Sequence, residues 1–250
     1  MVIEVPALPV PFPLVPERTA LLVIDMQKDF CAPGGYVDAM GYDISAIRKP
    51  IEPTRNLLEN VRGTDILVIF TRYGKRPDLS DEPPSDIGRF KSARIAGVPG
   101  AAVFGEVGPL GRLCIKGDIG WQIIDELLPI EGEPIIEKST KSSFRYTDLE
   151  LILRNQNRDS LLITGVTTDV CVTGTMRDGN DLGYACCLIT DCCASPDEKI
   201  HANMIEQLKV QAGIFGWWTD SSSIIGSLRE VGAVKNRTEK RRVKDPAAYW

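Results

Sequence analysis

SLLITGVTTDVCVTGTMRDGNDLG, residues 160–183, passes from strand chemistry to helix chemistry within a few positions. SLLITG (160–165) is apolar and β-branched, as in a strand covered on both faces, and VCVTGTMRDGNDLG (170–183) returns to helical spacing. Strand turning into helix is half of a βαβ unit, and the alternation repeats on both sides. Further strand-like runs are TALLVID (19–25), DILVIFT (65–71), EPIIEK (133–138), ACCLITD (185–191) and GIFGWWT (213–219). Helix-period segments lie between them: IEPTRNLLENV (51–61), GWQIIDELL (120–128), YTDLELILRNQ (146–156), PDEKIHANMIEQLK (196–209) and SSSIIGSLREV (221–231). This order predicts one doubly wound α/β domain with a parallel sheet of about six strands and right-handed crossovers. Gly74 to Asp118 is rich in Gly and Pro and weakly periodic, which predicts a long excursion over the sheet edge.

The chain has 250 residues, 43% hydrophobic and 25% charged, with a net charge of −5, which is ordinary globular composition. Nucleic acid and membrane are not expected partners, since the balance is acidic and no run of 18 apolar residues occurs. Residues 1–18 carry five prolines and no basic segment ahead of the apolar stretch, so they read as an extended arm and not a signal peptide. The domain proper is expected over residues 19–234. The tail, 235–250, has six basic against two acidic residues and ends in Tyr249-Trp250, a patch suited to an acidic partner, a neighbouring subunit or plain solvation.

Seven cysteines, an odd number, several of them in strand-like runs, point to reduced and mostly buried thiols in a cytoplasmic protein. The adjacent pairs Cys186-Cys187 and Cys192-Cys193 lack the spacing by which two sulfurs converge on one zinc ion. With one histidine, His201, a His-rich metal centre is excluded.

Ligands of open parallel sheets bind beyond the carboxyl ends of the strands. Three residues stand there. Asp25 ends the first strand, directly after four apolar positions; Lys138 ends the third; Cys171 lies where the fourth turns into a helix, a place expected to lower a thiol's pKa. Each alone has an ordinary structural reading. Together they supply a nucleophile, a carboxylate to receive its proton and a cation to stabilise both.

The motifs VIDMQKDFC (23–31) with GGY (34–36), IIEKSTKSSF (135–144), GVTTDVCVTGTMRDGNDLGY (165–184) and DCCAS (191–195) resemble the isochorismatase-like cysteine hydrolases, from about Thr19 to about Arg229. The resemblance implies a three-layer α/β/α fold with strand order 3-2-1-4-5-6 and a catalytic triad of Asp25, Lys138 and Cys171, with Lys141 the nearby competitor for the lysine role. It also implies a cis peptide at Val166-Thr167, an oxyanion hole from the N–H groups of Thr167 and Cys171, and often a homotetramer. Some members bind a metal through histidines after the second strand. That stretch here, FTRYGKRPDLSDEPP (70–84), has none, so neither metal nor other cofactor is expected.

Within the family, GGYVDAMGYD (34–43), TRYGKRPDL (71–79), GWQIIDELLPIEGE (120–133) and VQAGIFG (210–216) resemble hydrolases of small linear ureides, biuret hydrolase above all. The implied reaction is C–N cleavage of biuret to allophanate and ammonia, with triuret or ureidoacrylate as alternative substrates. Gln211, Lys141 and Arg72 are the implied polar substrate contacts, and Phe30, Tyr36, Tyr73 and Phe144 candidate walls. Tyr73 stands where the resemblance implies an acidic residue, and Ala212 where it implies glycine. The rival readings are a non-catalytic small-molecule binder on the same fold and a redox protein using the vicinal cysteines, whose bridging would be strained.

Overall fold

The computed structural model describes residues 1–233; the basic tail expected over 235–250 lies outside them. The chain enters through a hairpin, β1 (Ile3–Val5) and β2 (Phe12–Leu14), and then forms β3 (Thr19–Ile24) and β4 (Leu67–Tyr73). Two very short strands follow, β5 (Val107–Gly108) and β6 (Gly111–Arg112), then β7 (Ile135–Lys138), β8 (Ser160–Val166), β9 (Ala185–Ala194) and β10 (Trp217–Thr219). The central sheet runs β10-β9-β8-β3-β4-β7, every pair parallel. Counting only its six strands from the N-terminus and reading from the β7 edge, the order is 3-2-1-4-5-6, the expected topology. All six residues of β3 and all seven of β8 are buried, because helices cover both faces.

Alternation along the strands divides the core. Leu21 and Val23 face one apolar cluster, while Ala20, Leu22 and Ile24 face the other. Helices α1 (Lys28–Cys31), α2 (Tyr36–Ala39), α3 (Ile44–Arg48) and α4 (Ile51–Val61) follow β3. Next come α5 (Pro84–Ile95), α6 (Leu149–Asn155), α7 (Thr173–Asp181), α8 (Glu198–Leu208) and α9 (Ser221–Glu230). Residues of α3, α4 and α9 fill the first cluster, and residues of α6, α7 and α8 the second. Side-chain caps start three helices at the aspartates their sequence offers: Asp43, Asp197 and Asp220.

Three segments differ from their sequence reading. Residues 1–18 are not a free extended arm: Ile3, Val5, Phe12 and Leu14 are buried in the core, and Leu8 exchanges backbone hydrogen bonds with Trp218. GWQIIDELL is not a helix: residues 120–122 form turn and bend, Ile123 makes an isolated bridge to Gln27, and one 3-10 turn spans Asp125–Leu127. Its backbone pairs instead with the segment after β3, through Lys28 N to Gln122 O (2.8 Å) and Ile124 N to Met26 O (3.0 Å), and tertiary pairing outweighs the helical spacing. The Gly74–Asp118 excursion contains α5, a helix with no buried residue and hence no apolar stripe to betray it. No helix among the described residues is long and apolar enough to cross a membrane.

Candidate active site

β3 and β8 lie side by side at the centre of the sheet, and the connections leave them toward opposite edges, opening a crevice beyond their carboxyl ends. Asp25 follows β3 with φ +52°, an uncommon backbone state for a residue other than glycine. Thr71, on the neighbouring β4, holds it there. The Asp25 N–H donates to Thr71 Oγ1 at 3.2 Å, and the Thr71 hydroxyl donates to Asp25 Oδ1 at 2.5 Å. Lys138, the last residue of β7, reaches across β4 and places Nζ 2.7 Å from Asp25 Oδ2, with both side chains fully buried. The carbonyls of Thr140 and Lys141 accept the ammonium's other hydrogen bonds at 3.1 and 3.0 Å.

Cys171 arrives from the other side of the crevice. After β8 the Val166-Thr167 peptide is cis, and residues Thr168–Val172 form a π-helical turn that runs into α7. The Thr175 hydroxyl donates to the Cys171 carbonyl at 2.7 Å and accepts from Ser143 N at 2.9 Å, tying this turn to the loop after β7. Asp25 and Lys138 both act electrostatically on the Cys171 thiol. Gly165 makes the approach of β8 to β3 possible: its φ is +115°, and a Cβ there would sit 2.0 Å from Ile24 O. Gly165→Ala is therefore expected to abolish soluble folded protein or lower Tm by roughly 10 °C or more, read by circular dichroism. A Tm within a few degrees of wild type would contradict this packing.

Burial pushes the Cys171 thiol up to about 12, with Asp25 opposing the thiolate and Lys138 favouring it. The lowering expected from the helix end is thus overruled by desolvation. Burial pulls Lys138 down, but Asp25 and Cys171 more than compensate, and its pKa is raised, so it stays an ammonium. The resting sulfur is a protonated thiol that needs a base to become a nucleophile. All seven cysteines are buried, and Cys171 alone lines the cavity described next. A thiol with a raised pKa carries less thiolate at any given pH, so iodoacetamide labelling of Cys171, followed by peptide mapping, should climb about tenfold per pH unit from 7 to 10. A plateau below pH 8 would show a depressed pKa instead.

Above the sulfur lies a cavity of about 300 Å³. Phe30, Tyr36, Tyr73, Phe90 and Phe104 wall it, Thr167 and Cys171 line it at the turn after β8, and Lys141, Asp169 and Asp197 supply its charged groups. The Tyr73 hydroxyl is buried with no hydrogen-bond partner among the described residues. Burial raises its pKa, so the phenol stays neutral and able to donate. Of the residues expected from sequence, Phe30, Tyr36, Tyr73, Lys141, Thr167 and Cys171 meet at this cavity, with Asp25 and Lys138 beneath it.

Arg72, Phe144 and Gln211 do not line it. The pleat turns Arg72 to the opposite side from Thr71 and Tyr73, where its guanidinium lies 3.7 Å over the Trp121 ring and pairs with Glu137 at 3.1 Å. Phe144 packs on Tyr184, ring centroids 5.5 Å apart. Gln211 is exposed in the turn after α8, with φ +51°.

Sequence reasoning missed Thr71, although its place two residues before Tyr73 puts it on the same face of β4. It also missed Gln27, whose buried amide donates to the carbonyls of Tyr73 and Trp121 at 2.9 Å each and so fastens the strap at residues 120–124 beside the site. Phe90 and Phe104 come from the aperiodic excursion and left no signal. Among the described residues no group of three or more His, Cys, Asp or Glu is arranged to hold a metal ion.

The isochorismatase domain model matches residues 19–223. The chain belongs to the isochorismatase family. Two ureidoacrylate amidohydrolases named RutB are similar to it along nearly their whole length. That of Klebsiella pneumoniae subsp. pneumoniae is 29% identical over 249 residues, covering 96% of this chain and 99% of that protein. That of Caulobacter vibrioides (strain NA1000 / CB15N) is 30% identical over 243 residues, covering 92% and 94%. The crystal structure of a cysteine hydrolase from Pseudomonas syringae pv. phaseolicola shares the fold, with a TM-score of 0.71 at 24% identity over 90% of this chain and 98% of that one. In this family member the excursion that supplies Phe90 and Phe104 belongs to the matched region.

Proposed function

We propose that the chain hydrolyses a C–N bond of a small linear ureide through a covalent intermediate on Cys171. The observation that carries this reading is the fully buried Asp25–Lys138 ion pair, 2.7 Å long, whose two charges both act on the one cysteine that opens on the cavity. Asp25 takes the thiol proton as sulfur attacks the ureide carbonyl, and the N–H groups of Thr167 and Cys171 hold the oxyanion. The C–N bond breaks, and the departing nitrogen leaves with the proton from Asp25. Water then gives a proton to Asp25 and adds to the carbonyl held on sulfur, and the sulfur departs and recovers its proton. Lys138 keeps its charge throughout, favouring the thiolate and orienting the carboxylate.

The substrate side favours ureidoacrylate over the biuret that the sequence motifs suggest. Biuret presents polar groups along its whole length, and the cavity offers it mostly carbon. A ureide with a short unsaturated chain and a terminal carboxylate places carbon against Phe30 and Phe104, its ureide group near the Tyr73 hydroxyl and its carboxylate at the Lys141 ammonium. The RutB relatives carry names that agree with this assignment.

Product release from ureidoacrylate, biuret, triuret, N-carbamoyl amino acids and nicotinamide tests the reading, with ureidoacrylate expected to give the highest kcat/KM. Preference for biuret would replace the substrate assignment, and inertness toward all five would favour a non-catalytic binder. A charge-assisted contact is worth roughly 1.5–3 kcal/mol, so Lys141→Met should raise KM for carboxylate-bearing ureides by about 10- to 100-fold and leave biuret nearly unaffected. An equal effect on both would remove Lys141 from carboxylate recognition.

A further inference from the structure

A second ion pair is buried behind the site, and the mechanism above leaves it unused. Lys75 and Glu82 are 2% and 5% exposed, and their charged groups are 2.5 Å apart. Neither Glu82 oxygen has a hydrogen-bond partner besides this ion pair among the described residues. Desolvating two charges costs several kcal/mol per ion, and apolar residues of similar volume are often as stable, so stability alone does not account for the pair.

Its surroundings suggest a different role. Lys75 Nζ donates to the Ser139 carbonyl at 2.6 Å, and the Ser139 hydroxyl donates to the Gly74 carbonyl at 2.9 Å. The next two carbonyls, of Thr140 and Lys141, accept from Lys138 Nζ. Three consecutive carbonyls are therefore divided between two ammonium groups, the first facing Lys75 and the other two facing Lys138. Peptide planes are rigid, so turning the first carbonyl disturbs its neighbours. The ring of Tyr73 is near both cations, its centroid 5.5 Å from Lys75 Nζ and 5.0 Å from Lys138 Nζ.

We propose that Lys75, neutralised by Glu82, is a positioning residue that sets the Ser139–Lys141 loop and thereby holds the Lys138 ammonium against Asp25 and Cys171. This rests on the reading of Lys138 as part of the reaction machinery. It also gives the run GKRPDLSDE, residues 74–82, a function: its first half supplies the cation, and its turn returns Glu82 to meet it.

The test is the double variant Lys75→Met/Glu82→Leu, which leaves no orphaned charge and is expected to keep a Tm near wild type. Misplacing a reacting group by about 1 Å costs roughly 100-fold, so kcat on ureidoacrylate should fall by about that factor while KM changes little. Iodoacetamide labelling of Cys171 at pH 8 should slow by about tenfold, since Lys138 no longer favours the thiolate. Wild-type kcat and wild-type labelling in the folded double variant would overturn the proposal. Where that variant does not fold, Lys75→Arg replaces it: the charge facing Glu82 remains, but the planar fork cannot set a single donor at the Ser139 carbonyl. Reduced kcat and slowed labelling then support the proposal, and wild-type values overturn it. A wild-type protein inert toward every ureide would end the functional reading, and the labelling readout would still decide whether Lys75 places Lys138.

Discussion

Cys171→Ser should lose turnover on the order of 10⁶-fold while retaining the fold and ligand binding. A triad whose members act as one unit loses nearly all of its advantage when the nucleophile goes, and the environment here offers a hydroxyl no better prospect. Burial already holds the thiol at about 12, and Lys138 favours the thiolate that is left when Asp25 takes the proton. A serine hydroxyl in the same place starts several pKa units higher by its ordinary chemistry, beyond what one carboxylate paired with an ammonium can overcome. The change removes no wall of the cavity, so substrate should still bind, and calorimetry on Cys171→Ser is expected to give a Kd close to the wild-type KM. Turnover within tenfold of wild type would remove Cys171 from the chemistry, and lost binding would show that the sulfur shapes the pocket.

Lys138→Met should cost both stability and rate. Truncating one partner of a fully buried ion pair leaves the other charge unpaired, worth about 3–5 kcal/mol, which in a chain of this size lowers Tm by roughly 10 °C. Asp25 would keep its hydrogen bond from Thr71 but lose the one cation that pairs with it among the described residues. Removing the second charge separates the two effects. Asp25→Asn/Lys138→Met should recover much of the lost stability and none of the activity, because the base is then gone as well. A double variant no more stable than Lys138→Met would show that the lysine supports the fold by packing its stem and not by pairing its charge.

The fold was legible because its signals are redundant. Six short apolar runs separated by helical spacing leave few topologies once right-handed crossovers are required, and IEPTRNLLENV became α4 over the same residues. The meeting of Asp25, Lys138 and Cys171 was legible for a related reason: they are chemically expensive residues at strand ends, and strand order brings strand ends together. What escaped the sequence was settled by tertiary contact. GWQIIDELL has helical spacing, yet its backbone serves the loop after β3 better as a strap. Residues 1–18 read as an arm because their prolines break periodicity, while the alternation of Ile3 with Val5 and Phe12 with Leu14, too short to stand out, buries all four. The acidity of Cys171 was misjudged in sign because sequence shows a helix end but not the degree of burial. The resemblance offers Arg72 as a substrate contact and Phe144 as a wall, and the pleat and the turn after β7 send both elsewhere.

The most direct measurement titrates the wild-type enzyme with iodoacetamide and follows ureidoacrylate turnover and label at each cysteine in the same samples. Residual activity is expected to fall in proportion to alkylation of Cys171, with substrate slowing both together. Full alkylation of Cys171 with turnover intact, or activity lost while Cys171 stays unlabelled, would contradict a reaction carried by that sulfur.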